Sequence, residues 1–389
     1  MSGTTKAMRK FFILVFIFLL ALPVSASDTV YNDISSSISD ELEIFKSSLP
    51  NEVLDFFPKE IWNGDFSSLL GGEYNEGTML DYVIDYLFLG LKSTINSFAS
   101  IIIVILIASI FKMLQESMNS DSLKEAFSIT SALCICFTVA SICINIAKMT
   151  SQYMSTLCGI MKSFLPIMSV LYIMNGNISS GAVASSSLLL FIALVEQFLL
   201  SFMLPIVEFS ICFSIIRVFN SHLSFDGISK TLKNTFTSVT GFIMSIFMFV
   251  LSTKNILAQG ADSISMKTAK FAISSFIPIV GGAVGESLKT VSTSLSFIKG
   301  SLGVIAIIVI VVSLLPAIIS LLLNKLSFSI LSGIGKCLGL NSETGITDEG
   351  SSICGFLLAL AACTGVMFIF ALTVFIKASS GGASLWEDI

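Results

Sequence analysis

Ser301-Leu302-Gly303-Val304-Ile305-Ala306-Ile307-Ile308-Val309-Ile310-Val311-Val312-Ser313-Leu314-Leu315-Pro316-Ala317-Ile318-Ile319-Ser320-Leu321-Leu322-Leu323 runs without a single charged side chain. A helix needs roughly 20 apolar residues to cross ~30 Å of hydrocarbon, and this stretch supplies them. A barrel strand needs only about 10 residues and alternates polar with apolar, which this stretch does not do. Backbone inside hydrocarbon must satisfy its own hydrogen bonds, so the segment reads as a membrane helix.

The rest of the chain agrees with that segment. Its 389 residues are 54% hydrophobic and 12% charged, with a mean hydropathy of +0.92. A soluble domain carries about 25% charged residues, because it must present polar surface to water. Further spans are expected near 94–112, 126–147, 152–174, 182–204, 205–219, 236–253 and 353–376. The sequence therefore predicts an all-α, polytopic membrane protein with about seven or eight membrane helices. The 182–219 run reads either as two short helices turning at Pro205 or as one long kinked helix. Residues 271–285 are apolar but interrupted by Pro278, Gly281, Gly282 and Gly285, which suits a broken or re-entrant helix.

At the N-terminus, Lys6, Arg9 and Lys10 precede the apolar run from Phe11 to Leu22, followed by Pro23, Val24, Ser25 and Ala26. This is the layout of an export signal, with cleavage expected after Ala26. Residues 27–91 then form an exported acidic region, in which Ile34, Ile38, Leu42, Phe45 and Leu49 recur at helical spacing. That region is too short to bury a core of its own, so it is expected to pack on the membrane surface or on a partner. The expected organisation is a signal peptide over 1–26, the exported region over 27–91, a membrane domain over 92–377 and a tail over 378–389. The orientation of the spans is balanced by charge. If 182–219 crosses twice, Arg217, Lys230 and Lys233 lie inside while Lys254, Lys267 and Lys270 lie outside, and a single crossing swaps them.

Short words recur along the chain. Ser163-Phe164-Leu165-Pro166-Ile167 is echoed by Ser275-Phe276-Ile277-Pro278-Ile279, Leu204-Pro205-Ile206 by Leu315-Pro316-Ala317, and Gly241-Phe242 by Gly355-Phe356. Tandem repeats of this kind build many transport proteins.

The sequence offers little for catalysis. The lone histidine, His222, lies in a polar loop with no nucleophile, carboxylate pair or metal spacing beside it. Gly281-Gly282-x-x-Gly285 lacks the preceding strand and the Lys-Ser/Thr ending of a nucleotide loop. No cofactor or metal site is expected, and the eight cysteines read as small apolar packing residues. The acidic stretch argues against nucleic acid as a partner. The sharper signals are polar groups inside apolar runs: Glu196 and Gln197 within Ile192-Ala193-Leu194-Val195-Glu196-Gln197-Phe198, and Glu208 further along. A charge at the bilayer centre costs ~2.5–3.5 kcal/mol, so it faces either a partner group or a watery cavity. Glu286 follows the glycine-rich break and reads as the cap of the next amphipathic helix.

Phe276-Ile277-Pro278-Ile279-Val280-Gly281-Gly282-Ala283-Val284-Gly285-Glu286-Ser287 resembles the Pro-x-Val-Gly-Gly-Ala signature of the stage III sporulation protein AE family. Phe164-Leu165-Pro166, the later Gly181-Ala182 and the Leu49-Pro50-x-Glu52-Val53 stretch are similar to the same family. The resemblance implies a protein of the mother-cell membrane facing the engulfed forespore, working with other membrane proteins in a channel between the two compartments. It implies no catalytic residues, and of the site residues it carries over only the Pro278–Gly285 segment, as a structural or channel element. Two rival functions stand beside it: an ion-coupled secondary transporter using Glu196, and a scaffold with no pore.

Overall fold

The structure, a computed structural model, describes residues 43–50, 54, 76–117, 120–174, 178–219, 226–276, 281–340 and 343–380. Among these there is no strand. Six long helices account for nearly all of them: α1 (Glu76–Glu116), α2 (Asp121–Met174), α3 (Ile178–Phe219), α4 (Asp226–Phe276), α5 (Gly281–Cys337) and α6 (Gly345–Ser380). Each contains a stretch long and apolar enough to cross a membrane. The export signal with Ala26, nearly all of 27–75, His222, Pro278 and the end of the tail lie outside the described residues.

Six helices stand where seven or eight spans were expected, because two pairs of spans fuse. The expected 126–147 and 152–174 are one 54-residue helix, α2. The stretch between them, Lys148-Met149-Thr150-Ser151, is polar, but it holds no glycine or proline. Hydropathy falls there while the backbone has no reason to break, and Thr150 satisfies its hydroxyl on the Ile146 carbonyl at 2.8 Å. Likewise 182–219 is the single-helix alternative, with Pro205 inside α3. Pro166 and Pro316 are also helix-internal. Proline is tolerated in membrane helices because neighbouring groups satisfy the freed carbonyl. α4 ends at Phe276 and α5 begins at Gly281, and Pro278, within the expected break, lies outside the described residues.

Side-chain contacts fix the helix order. Gln115 near the end of α1 donates to the Lys124 carbonyl at the start of α2. Lys112 donates to the Gly339 carbonyl just beyond α5, and Arg217 of α3 lies over Gly345, with Nη2 2.8 Å from where a β-carbon would stand. The C-terminal ends of α1, α3 and α5 therefore gather with the N-terminal ends of α2, α4 and α6. Because two pairs of spans fused, Arg217, Lys230 and Lys233 stay at the end that carries the C-terminus of α1. Gly339 reverses the chain there with φ of +83°, a conformation that a β-carbon would strain.

The core is aliphatic and phenylalanine-rich: Phe164, Phe191, Phe247, Phe328 and Phe368 are all fully buried. Rings join α3, α4 and α6 in a row, with Phe198 stacked on Phe236 at 5.0 Å and Phe236 edge-on to Phe356 at 6.0 Å. Between α5 and α6 one close approach is made by Gly350, where an added β-carbon would sit 3.0 Å from two atoms of the Phe328 ring. Small residues at such crossings let membrane helices meet. Gly350→Ala is expected to destabilise by about 1–3 kcal/mol, because a buried ring has nowhere to move. Gly159→Ala meets nothing within 4 Å and is expected to be neutral or stabilising. Thermal unfolding of the two variants in detergent checks the contrast.

One piece of the region expected to be exported lies among the described residues, and it is docked. Residues 43–48 are helical, and Phe45 and Leu49 are buried in the same core as the long helices. Phe45 packs on Phe164 of α2 with ring centroids 5.3 Å apart, and the Ser48 and Ser163 hydroxyls share a hydrogen bond of 2.6 Å. This segment rests on the helical bundle itself.

Candidate functional site

Charges inside an apolar bundle must be paired or wet, so the ion pairs mark where the fold carries something other than packing. Among the described residues, pairs of this kind tie different helices together. The first is Lys162 of α2 with Glu196 of α3, whose side chains are 40% and 24% exposed. Phe198 stacks on Phe236 and Phe191 on Phe247, so Glu196 lies level with the middle of the α4 apolar run Gly227–Lys254. This pair sits deep in the span and on the outward side of the bundle.

The second pair is the most enclosed. Lys233 of α4 meets Glu349 of α6 at 2.5 Å, with side chains only 4% and 13% exposed. Ser229 donates to the same carboxylate at 2.8 Å, and Lys233 also donates to Ser352 at 2.7 Å. Each charge therefore has more than one polar neighbour, as a buried pair requires. The third pair, Lys336 with Asp348 at 2.7 Å, is half exposed at the same end, and Ser332 donates to Asp348 at 2.5 Å. Two adjacent residues of α6, Asp348 and Glu349, thus tie it to α5 and α4 respectively.

The structure brings only some of the expected site residues together. Glu196 has a partner that the sequence reading missed, Lys162. Gln197 points outward and donates to Ser201 at 3.0 Å, one turn further along α3. Glu208 is exposed on the same helix. Gly281, Gly282, Gly285 and Glu286 lie in the opening turns of α5, apart from these pairs. Lys162 carried one available signal: Asn145, Lys148, Gln152, Ser155, Gly159 and Lys162 recur every three or four residues, which places them on one face of α2. Lys233 and Glu349 lie too far apart in the chain for any pattern to pair them.

Residues 68–379 match the family model described as stage III sporulation protein AE. The chain is also similar to a curated relative, the stage III sporulation protein AE of Bacillus subtilis (strain 168), at 23% identity over 354 residues. That alignment spans 88% of this chain and 86% of the relative. No solved structure matches.

Proposed function

Since the chain belongs to the stage III sporulation protein AE family, we propose that it is the membrane component of a channel joining the mother cell to the forespore. The coarser facts are plain: this is a multi-pass helical membrane protein of a sporulation family. The observation that carries the finer reading is the Lys162–Glu196 pair, a charged group kept at mid-span on the outward side of the bundle. A protein meant only to sit in lipid has no use for it, since charge at that depth is costly. On this reading the protein lies in the mother-cell membrane around the forespore and assembles with other membrane proteins of the channel. The exported region faces the space between the two cells. The end bearing Arg217, Lys233 and Lys336 then faces the cytoplasm, and the C-terminus of α6 lies on the exported side. A self-sufficient transporter that couples an ion through Glu196 would have to part it from Lys162 in every cycle.

Deleting the protein from its source organism is expected to leave vegetative growth and solute uptake unchanged and to arrest development after engulfment. Counting heat-resistant spores against viable cells measures this. Unimpaired sporulation overturns the reading, and an uptake defect during growth points to the transporter instead.

A further inference from the structure

The outward face of α2 changes character along its length. Near its start the exposed side chains are apolar, with Leu123, Ile129, Leu133 and Phe137 between 42% and 79% exposed. Beyond them the same face becomes polar: Asn145, Lys148, Gln152 and Gly159 are exposed, while Ser155 and Lys162 are half-buried. The neighbouring helix answers it. On α3, Gln197, Ser201 and Glu208 form an exposed polar stripe on the outward face, about 100–140° round the helix from Glu196, with exposed Leu194 and Phe202 further round.

The two helices are antiparallel, and two contacts fix their register: Lys162 with Glu196, and the hydrogen bond between the Ser169 and Ser185 hydroxyls. Continuing that register sets Gly159 level with Gln197, Ser155 level with Ser201, and Lys148 level with the turn that carries Glu208. The result is a polar seam, ~21 Å long at 1.5 Å per residue, running from mid-span toward the end that gathers Arg217 and Lys233. Its other end is closed by the docked 43–48 helix, where Ser48 bonds Ser163, the residue after Lys162.

Elsewhere the bundle shows the opposite chemistry. The outward residues of the remaining helices include Phe242 and Phe249 on α4, Val304 and Val311 on α5, and Val366 and Phe370 on α6, which are 38% to 68% exposed. Those faces suit lipid. The seam does not, since each charge in hydrocarbon costs ~2.5–3.5 kcal/mol. A dry protein interface suits it poorly as well. Among the described residues nothing pairs Lys148 or Glu208, and an unpaired charge sealed in an interface costs several kcal/mol. Water satisfies all of these groups at once.

We propose that the α2–α3 seam is wet at membrane depth and forms the wall of an aqueous path that narrows at Lys162–Glu196. The assignment rests on the channel reading for its purpose, though its chemistry stands on the seam alone.

Cysteine accessibility in the full-length protein, in its native membrane, tests it. Exposed Cys134, Cys212 and Cys337 are first replaced by serine. Gln152→Cys, Ser155→Cys and Ser201→Cys are then compared with the lipid-facing Phe249→Cys and Val366→Cys, using a charged methanethiosulfonate on membrane fragments that expose both faces. Only variants that keep the spore yield of their parent are scored. Because the hydrated thiolate is the reacting species, the seam positions are expected to label at least about tenfold faster than the lipid-facing ones. Equal, slow labelling overturns the proposal. So does slow labelling with Gln152→Cys forming a disulfide between two copies, which makes the seam a contact between subunits. Neither result touches the channel reading, which stands or falls on the spore count of the deletion.

Discussion

Lys233→Ala is expected to cost about 3–5 kcal/mol, because it strands Glu349 in the bundle with no cation to meet it. The size follows from enclosure. Lys233 is 4% exposed, and the carboxylate it leaves behind is 13% exposed, so water cannot take its place without opening α4 from α6. Removing the whole pair is a different matter. Lys233→Met combined with Glu349→Leu trades two buried charges for apolar groups of similar volume, and recovers most of the loss. Denaturant titration of the purified protein in detergent separates the two, with the single variant far below the double. A single variant as stable as the parent would mean that the pair is open to water after all. The pattern bears on purpose too: if the double variant is stable but fails to support spores, the charges serve more than the fold.

Phe45→Ala carries a comparable cost on a smaller unit. Truncating a buried phenylalanine loses about 3–5 kcal/mol, and here one short helix bears the whole loss. Phe45 is 1% exposed and packs on Phe164, and other links of its segment among the described residues include a serine pair and Leu49. The expected outcome is release of the 43–48 helix with the six long helices intact. Limited proteolysis reads it directly: cleavage near Lys46 should become rapid while the membrane core stays protected. Protection equal to the parent's would show that contacts other than Phe45 hold the segment down.

The class of fold was legible because solvent choice is written in composition. Residues 301–323 without a charge can only be a span, and α5 contains them. Helix continuity was less legible. The polar Lys148-Met149-Thr150-Ser151 looks like a loop to hydropathy, yet only glycine, proline or a competing cap breaks a helix, and none is present. Proline was ambiguous only at Pro205, where a turn was one of two readings; Pro166 and Pro316 were expected within spans and lie within helices. For the site, Glu196 stood out as a carboxylate in an apolar run. Its partner did not, because Lys162 lies in a stretch already rich in serine, threonine and glycine. Lys233 and Glu349 are 116 residues apart, and nothing in either neighbourhood names the other. The glycine-rich signature worked in yet another way. It pointed to the family over most of the chain, while Pro278 itself lies outside the described residues.

The fusion of two expected spans into α2 has a mechanical meaning. At 1.5 Å per residue its 54 residues make a rod of ~81 Å, far longer than the ~30 Å of hydrocarbon it passes through. No proline interrupts it before Pro166. Such a rod cannot bend at the membrane, so it behaves as a lever with the bilayer as its fulcrum. A tilt of about 5° swings one tip about 7 Å relative to the other. The 43–48 helix grips α2 at Ser163 and Phe164, close to that fulcrum, while the start of α2 lies ~60 Å away at the far tip. A small rotation at that grip is felt at the far tip through a single element, with no relay of side chains between.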